Sequence, residues 1–150
     1  MESVKRGRAG EPGQLRGAVE AQSPLGTLNA NTAFGVFGTG AGWTGEALPV
    51  AEPEEVHEGK AQILSNVSGD TVELFDVEII RCRSAEDGRD LVLKVTDQRL
   101  LQTTGGIVAG MSGSPIIQDG RLAGAVTHVL VNQPDTGYGI FIETMLEAAR

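Results

Sequence analysis

From Thr32 onward, apolar and polar positions mostly alternate with a period of two or gather in short apolar runs, and few windows carry a helical period. Ala33-Phe-Gly-Val-Phe-Gly predicts a short strand that runs into the glycine-rich turn Gly38-Thr-Gly-Ala-Gly-Trp. Gly59-Lys-Ala-Gln-Ile-Leu-Ser-Asn-Val and Asp70-Thr-Val-Glu-Leu-Phe-Asp-Val-Glu-Ile-Ile-Arg-Cys predict two strands joined into a hairpin through Ser68-Gly-Asp. In the second strand Val72, Leu74, Val77 and Ile79 separate from Glu73, Asp76 and Glu78, with one slip near Phe75. That pattern predicts one wet face and a bulge at the slip.

Asp90-Leu-Val-Leu-Lys-Val-Thr-Asp predicts another strand, followed by one helical turn over Gln98 to Thr103. The segment opened by Gly105-Gly-Ile-Val-Ala-Gly-Met-Ser-Gly-Ser-Pro leads into a second hairpin: strand Pro115-Ile-Ile, turn Gln118-Asp-Gly-Arg, then the return strand from Leu122. Asp119-Gly120 between apolar runs is a strong local hairpin signal, because such turns need a positive φ at both central residues. Tyr138-Gly-Ile-Phe-Ile predicts a last strand, and Glu143 to Arg150 a short helix packed through Met145 and Leu146. The first 33 residues are rich in Gly, Pro and small polar residues, with Lys5, Arg6, Arg8 and Arg16 gathered near the start. They read either as an irregular arm or as strands of the same domain cut from their partners, since Gln14-Leu-Arg-Gly-Ala-Val-Glu alternates weakly.

Composition sharpens this picture. In 150 residues there are 21 glycines and only 4% aromatics, a balance suited to short strands and tight turns, and the length fits one domain. The expectation is an all-β fold. Twelve Lys and Arg against 20 Asp and Glu give a net charge of −8, which works against a nucleic-acid-binding role. No apolar run is long enough to cross a membrane as a helix, and Met1-Glu-Ser-Val-Lys-Arg has no apolar signal core. Neither C-x-x-C nor H-E-x-x-H occurs, so no metal and no cofactor are expected. Glu73, Asp76 and Glu78 read more simply as a wet strand face than as a calcium patch, and Cys82 as a small buried hydrophobe. Gly38-x-Gly-x-Gly lacks the following helix that a dinucleotide cradle needs.

The stretch that carries chemistry is Gly110-Met-Ser-Gly-Ser-Pro. A serine at a tight glycine turn is exposed, and the amides of Gly110 and Ser112 can point at one oxyanion while a substrate carbonyl approaches the main chain. Ordinary turn chemistry uses the same residue types, and Ser114 needs no other explanation. Asp97 reads from its position alone as a strand-end or helix-cap carboxylate.

The order of serine turn, Pro, apolar strand, Asp-Gly hairpin and Gly124-Ala-Val-Thr-His-Val resembles the last hairpin of chymotrypsin-like barrels. More closely, the string from Gly105 to His128, with Asn132-Gln-Pro-Asp-Thr-Gly-Tyr-Gly-Ile-Phe-Ile-Glu and Asn31-Thr-Ala-Phe-Gly-Val-Phe-Gly, resembles the SpoIVB peptidases, serine endopeptidases of spore-forming bacteria. The resemblance implies a chymotrypsin-like barrel, incomplete at its N-terminal side, with residues 34–150 the C-terminal portion of the peptidase domain. It makes Ser112 the nucleophile, Asp97 the triad acid fifteen residues earlier, and Gly110 and Ser112 the oxyanion hole. Thr127 and His128 become substrate-binding residues on the return strand, and Thr127 is similar to the hydroxyl residue that supports the triad acid in chymotrypsin-like folds. The substrate is a protein or peptide. The implied setting is intercompartmental signalling during sporulation, between the two membranes of the developing spore, with a membrane anchor upstream.

In that family the triad histidine lies in a Gly-His segment before the basic Gly/Pro stretch, so it is expected outside these 150 residues. His57, within Glu54-Glu-Val-His-Glu, reads as part of a solvated loop. His128 matches the pocket-lining position. The alternative from another class is a catalytically silent β domain that binds an extended peptide beside Leu122 to Val131 or is only structural.

Overall fold

The computed structural model describes residues 1–19, 22–41 and 45–150. Its centre is a closed antiparallel barrel of six strands in the order β10-β7-β6-β5-β8-β9. The strands are β5 (Gly59–Ser68), β6 (Thr71–Cys82), β7 (Leu91–Val95), β8 (Pro115–Gln118), β9 (Arg121–Leu130) and β10 (Gln133–Phe141). Helix α1 (Gln98–Thr104) follows β7, and α2 (Ile142–Ala148) follows β10. The all-β expectation therefore holds, and strands from Gly59 onward suffice to close the barrel. Ile63, Phe75, Leu91, Leu93 and Ile116 fill its interior, each at most 2% exposed.

The strand phase of β6 differs from the expected one. Phe75, Val77 and Ile79 point inward, whereas Val72 and Leu74 are 60% and 42% exposed. Register explains this: Ile63 pairs with Phe75 and Ala61 with Val77, so the inward side of β5 fixes the inward side of β6. No bulge sits at Phe75; the irregularities fall between Ser65 and Ser68 at the hairpin end, and between Ile79 and Arg81 against β7. The second hairpin turns as expected, with Asp119 at φ 50° and Gly120 at φ 75°, the positive pair of a type I′ turn. It starts at Pro115, and residues 107–114 form an irregular loop before it.

The first residues are not wholly irregular. β1 (Ser3–Lys5) pairs with β2 (Gln14–Arg16), and β3 (Gly26–Thr32) with β4 (Gly35–Gly40), as two separate antiparallel ribbons. The turn expected over Gly38-Thr-Gly-Ala-Gly-Trp begins in β4, and its last two residues, Gly42 and Trp43, lie outside the described residues.

Helix α2 is pinned by Asp90, which is fully buried. Its carboxylate accepts hydrogen bonds from the Phe141 amide (2.9 Å), the Thr144 hydroxyl (3.3 Å) and the Ala85 amide (2.8 Å). Asp90→Ala leaves these donors unpaired in the core and is expected to cost about 3 kcal/mol, measured by urea denaturation; Asp90→Asn, which keeps one carbonyl acceptor, is expected to cost less. Equal stability of all three proteins would remove Asp90 from this role. Leu146, expected to pack, is instead 45% exposed, because α2 lies on the surface and turns Met145 toward the body of the protein.

Candidate active site

The loop before β8 is built by tying alternate amides down. Met111 N donates to Val108 O (3.1 Å), Ser114 N to Met111 O (3.0 Å) and Gly113 N to Val126 O (2.8 Å). Met111 is 1% exposed, and its Sδ accepts from the Val108 amide at 3.4 Å. Among the described residues, the amides of Gly110 and Ser112 take part in no hydrogen bond. The two donors expected to face an oxyanion are thus the two left free, and Ser112, which carries the second of them, is exposed.

Gly110 is required by its surroundings. Its φ is 98°, and a Cβ there would lie 3.1 Å from both Cβ and O of Leu15. Leu15 belongs to β2, whose backbone is bonded to this loop: Leu15 N donates to Ala109 O (2.8 Å) and Ala109 N to Gly13 O (3.1 Å). The N-terminal ribbon therefore braces the segment that ends in Gly110. Its sequence signal was the weak alternation around Leu15, too short to reveal the partner.

The Ser112 hydroxyl donates to the carbonyl oxygen of Thr127 at 2.8 Å. A carbonyl holds the proton without removing it, so in this rotamer the oxygen is not activated. The Thr127 hydroxyl is buried and has no hydrogen-bond partner among the described residues. Ser112, Thr127 and His128 together line one groove of about 300 Å³, facing the tip of the β3–β4 hairpin and Met145. The sequence placed the first three at a site; it did not place the hairpin tip or Met145 there.

Across the chain, the family model described as SpoIVB peptidase S55 matches residues 1–146. The chain belongs to the SpoIVB peptidase S55 family. Its fold is chymotrypsin-like: a solved structure titled as that of the Rv3671c protease, inactive form, matches with a TM-score of 0.56 and 17% identity, covering 85% of this chain and 67% of that one. No curated protein matches the sequence. The family makes this chain a serine peptidase by resemblance, and Ser112 stands exposed on its surface.

The remaining candidates of this S55 chain stand elsewhere. Asp97 caps α1: its Oδ1 accepts from Arg99 N (2.9 Å) and Nε (3.2 Å), and its Oδ2 from Arg99 Nη2 (2.8 Å) and Asp76 N (3.3 Å). The Arg99 guanidinium foremost, with the two amides, lowers its pKa to about 2. Neither Asp97 nor these partners line the groove that holds Ser112. The depressed value means that the pair's contribution to stability is complete above pH 3.8 and is lost as pH falls toward 2.

His57 is exposed at the far end of β8 from Ser112, with Nε2 2.8 Å from Asp119 Oδ2 and Nδ1 2.9 Å from Glu58 O. The Glu58 carbonyl, then Asp119, raises its pKa above 6.5. The charged pair thus supports the fold fully below pH 6.5 and fades as pH rises through the folded value. In an NMR titration His57 is expected above 6.5, falling in Asp119→Asn; an unchanged midpoint would break the assignment. Cys82 is half-buried, its thiol donates to Val56 O (3.3 Å), and burial raises its pKa, in keeping with an unreactive thiol.

Proposed function

We propose that this chain is the nucleophile-bearing part of a serine endopeptidase of the SpoIVB type, cleaving a protein substrate in intercompartmental signalling during sporulation. The observation that carries the reading is an exposed Ser112 whose own amide and that of Gly110 are both unbonded among the described residues. In the proposed reaction the Ser112 hydroxyl rotates away from Thr127 O, passes its proton to a histidine, and attacks a peptide carbonyl. The Gly110 and Ser112 amides receive the oxyanion, and the leaving amine takes the proton back. Neither His57, engaged at the Asp119 turn, nor His128, a groove-lining residue of β9, bonds the Ser112 hydroxyl. The base in this reading is therefore the histidine of the family's Gly-His segment, outside these 150 residues.

Thr127 and His128 supply the substrate-binding edge. β8 pairs with β9 only from Arg121 to Ala125, so among the described residues no strand covers the Thr127–Leu130 part of that edge. An extended peptide can add there as a further strand. The unactivated Ser112 rotamer favours a second reading, a β domain that binds peptides on this edge without cleaving them.

The resemblance gives Asp97 the acid's part, for which it must exchange Arg99 for an imidazole. Asp97→Asn in the peptidase carrying its histidine tests this. Loss of the Arg99 pair is expected to cost about 1–2 kcal/mol of stability, allowing for screening at the exposed guanidinium. An acid role adds a fall of roughly 10⁴-fold in turnover per folded molecule. Turnover near the unsubstituted rate would leave Asp97 only as the cap of α1.

A further inference from the structure

We propose that the groove beside Ser112 is a side-chain pocket that admits one apolar residue of an extended peptide, of leucine or methionine size, and rejects charged residues. The inference rests on the peptidase reading for its purpose, though its binding chemistry can be measured alone. Position comes first. Val126, Thr127 and His128 of β9 line the pocket together with Ser112 and Gly113. A peptide laid on the uncovered part of β9 with a carbonyl at Ser112 therefore has a neighbouring side chain within reach of the pocket.

Size and chemistry then choose the side chain. The pocket holds about 300 Å³, room for on the order of ten waters or for one large side chain and its backbone. Its apolar walls come from three places: Phe34 and Val36 of the hairpin, Ala125 and Val126 of β9, and Met145 of α2. Among the described residues, the polar lining is neutral amide or hydroxyl apart from His128, and no Asp, Glu, Lys or Arg contributes. A lysine or aspartate side chain would be stripped of water there with no counter-charge.

The hairpin wall is held in place rather than loosely apposed. Phe34 N donates to the Thr32 hydroxyl (3.1 Å), which donates to Gly35 O (3.1 Å), closing the tip. A methyl group at Gly88 would sit 3.1 Å from both the Phe34 ring and Ile140, so that ring lies on the barrel. Opposite, a Cβ at Gly35 would meet Met145 Cε at 3.1 Å, which places the thioether against the hairpin tip. Met145 is thus the adjustable wall, since its unbranched, polarisable chain can repack around differing occupants.

The test uses the 150-residue chain and N-acetylated tripeptide amides ending in leucine, phenylalanine, lysine or aspartate, titrated by NMR at the Met145 methyl and the Val126–His128 amides. The leucine peptide is expected to shift these signals saturably, and the lysine and aspartate peptides to bind at least tenfold more weakly. Met145→Ala is expected to move the preference from leucine toward phenylalanine by roughly tenfold. Leu146→Ala, one residue along on the exposed side of α2, should leave it unchanged. No saturable shift at Met145, or equal binding of the lysine peptide, overturns the pocket. Selective binding of the leucine peptide, with no hydrolysis by a longer form that carries the histidine, upholds the pocket and sinks the peptidase reading. Hydrolysis at Ser112 that ignores the side chain does the reverse.

Discussion

Ser112→Ala, made in the peptidase that carries its histidine, is expected to lower turnover by roughly 10⁶-fold while leaving the fold intact. The size follows from the serine and histidine acting as one unit: without the oxygen, no acyl-enzyme forms, and what remains is the help given by the free amides and by peptide binding. Stability should fall by no more than about 1 kcal/mol, because the side chain is exposed and gives up a single hydrogen bond to Thr127 O. Binding of a peptide to the β9 edge should persist. A variant that still turned over substrate at a tenth of the original rate would place the nucleophile elsewhere, with Ser114 the nearest hydroxyl in sequence.

Gly110→Val should damage the site by a different route. A β-branched residue at φ 98° is strained, and its Cβ would stand 3.1 Å from the Leu15 backbone oxygen, so either the loop or β2 must move. A cost of about 1–3 kcal/mol is expected from the backbone conformation. Displacing the Gly110 amide removes one of two oxyanion donors, and a further loss of 10²–10³-fold in turnover per folded molecule follows. Measured with a substrate whose binding depends on the β9 edge, the loss should appear in kcat with KM little changed. A variant with the full rate would show that the Gly110 amide does not receive the oxyanion.

The sequence made the barrel's second half legible, because its signals are local. Asp119-Gly120 dictates a type I′ turn, and the strands leave it in the turn's register, Gln118 opposite Arg121 and Ile117 opposite Leu122, before an irregularity shifts the pairing by one residue to Ile116 opposite Gly124. The serine turn was legible for the same reason: Gly110 and Gly113 mark backbone bends with positive φ. What escaped depends on distant partners. Phe75 could be oriented only by knowing that it faces Ile63 across β5, and the ribbon of β1 and β2 only by its contact with residues near Ala109. Met145 reads in sequence as a packing residue of a short helix; its position in the groove comes from where α2 docks. Asp97 shows the limit in the other direction. The family resemblance implies a triad acid, yet its local setting, one residue before α1 and two before Arg99, fits the cap it forms.

The central claim, that Ser112 is a peptidase nucleophile, is tested most directly by covalent trapping. The peptidase extended to include the family's Gly-His segment is treated with a fluorophosphonate, digested, and the adduct located by mass spectrometry. A single adduct on Ser112 is expected, absent from Ser112→Ala. An adduct on Ser114, or labelling that survives in Ser112→Ala, would contradict it.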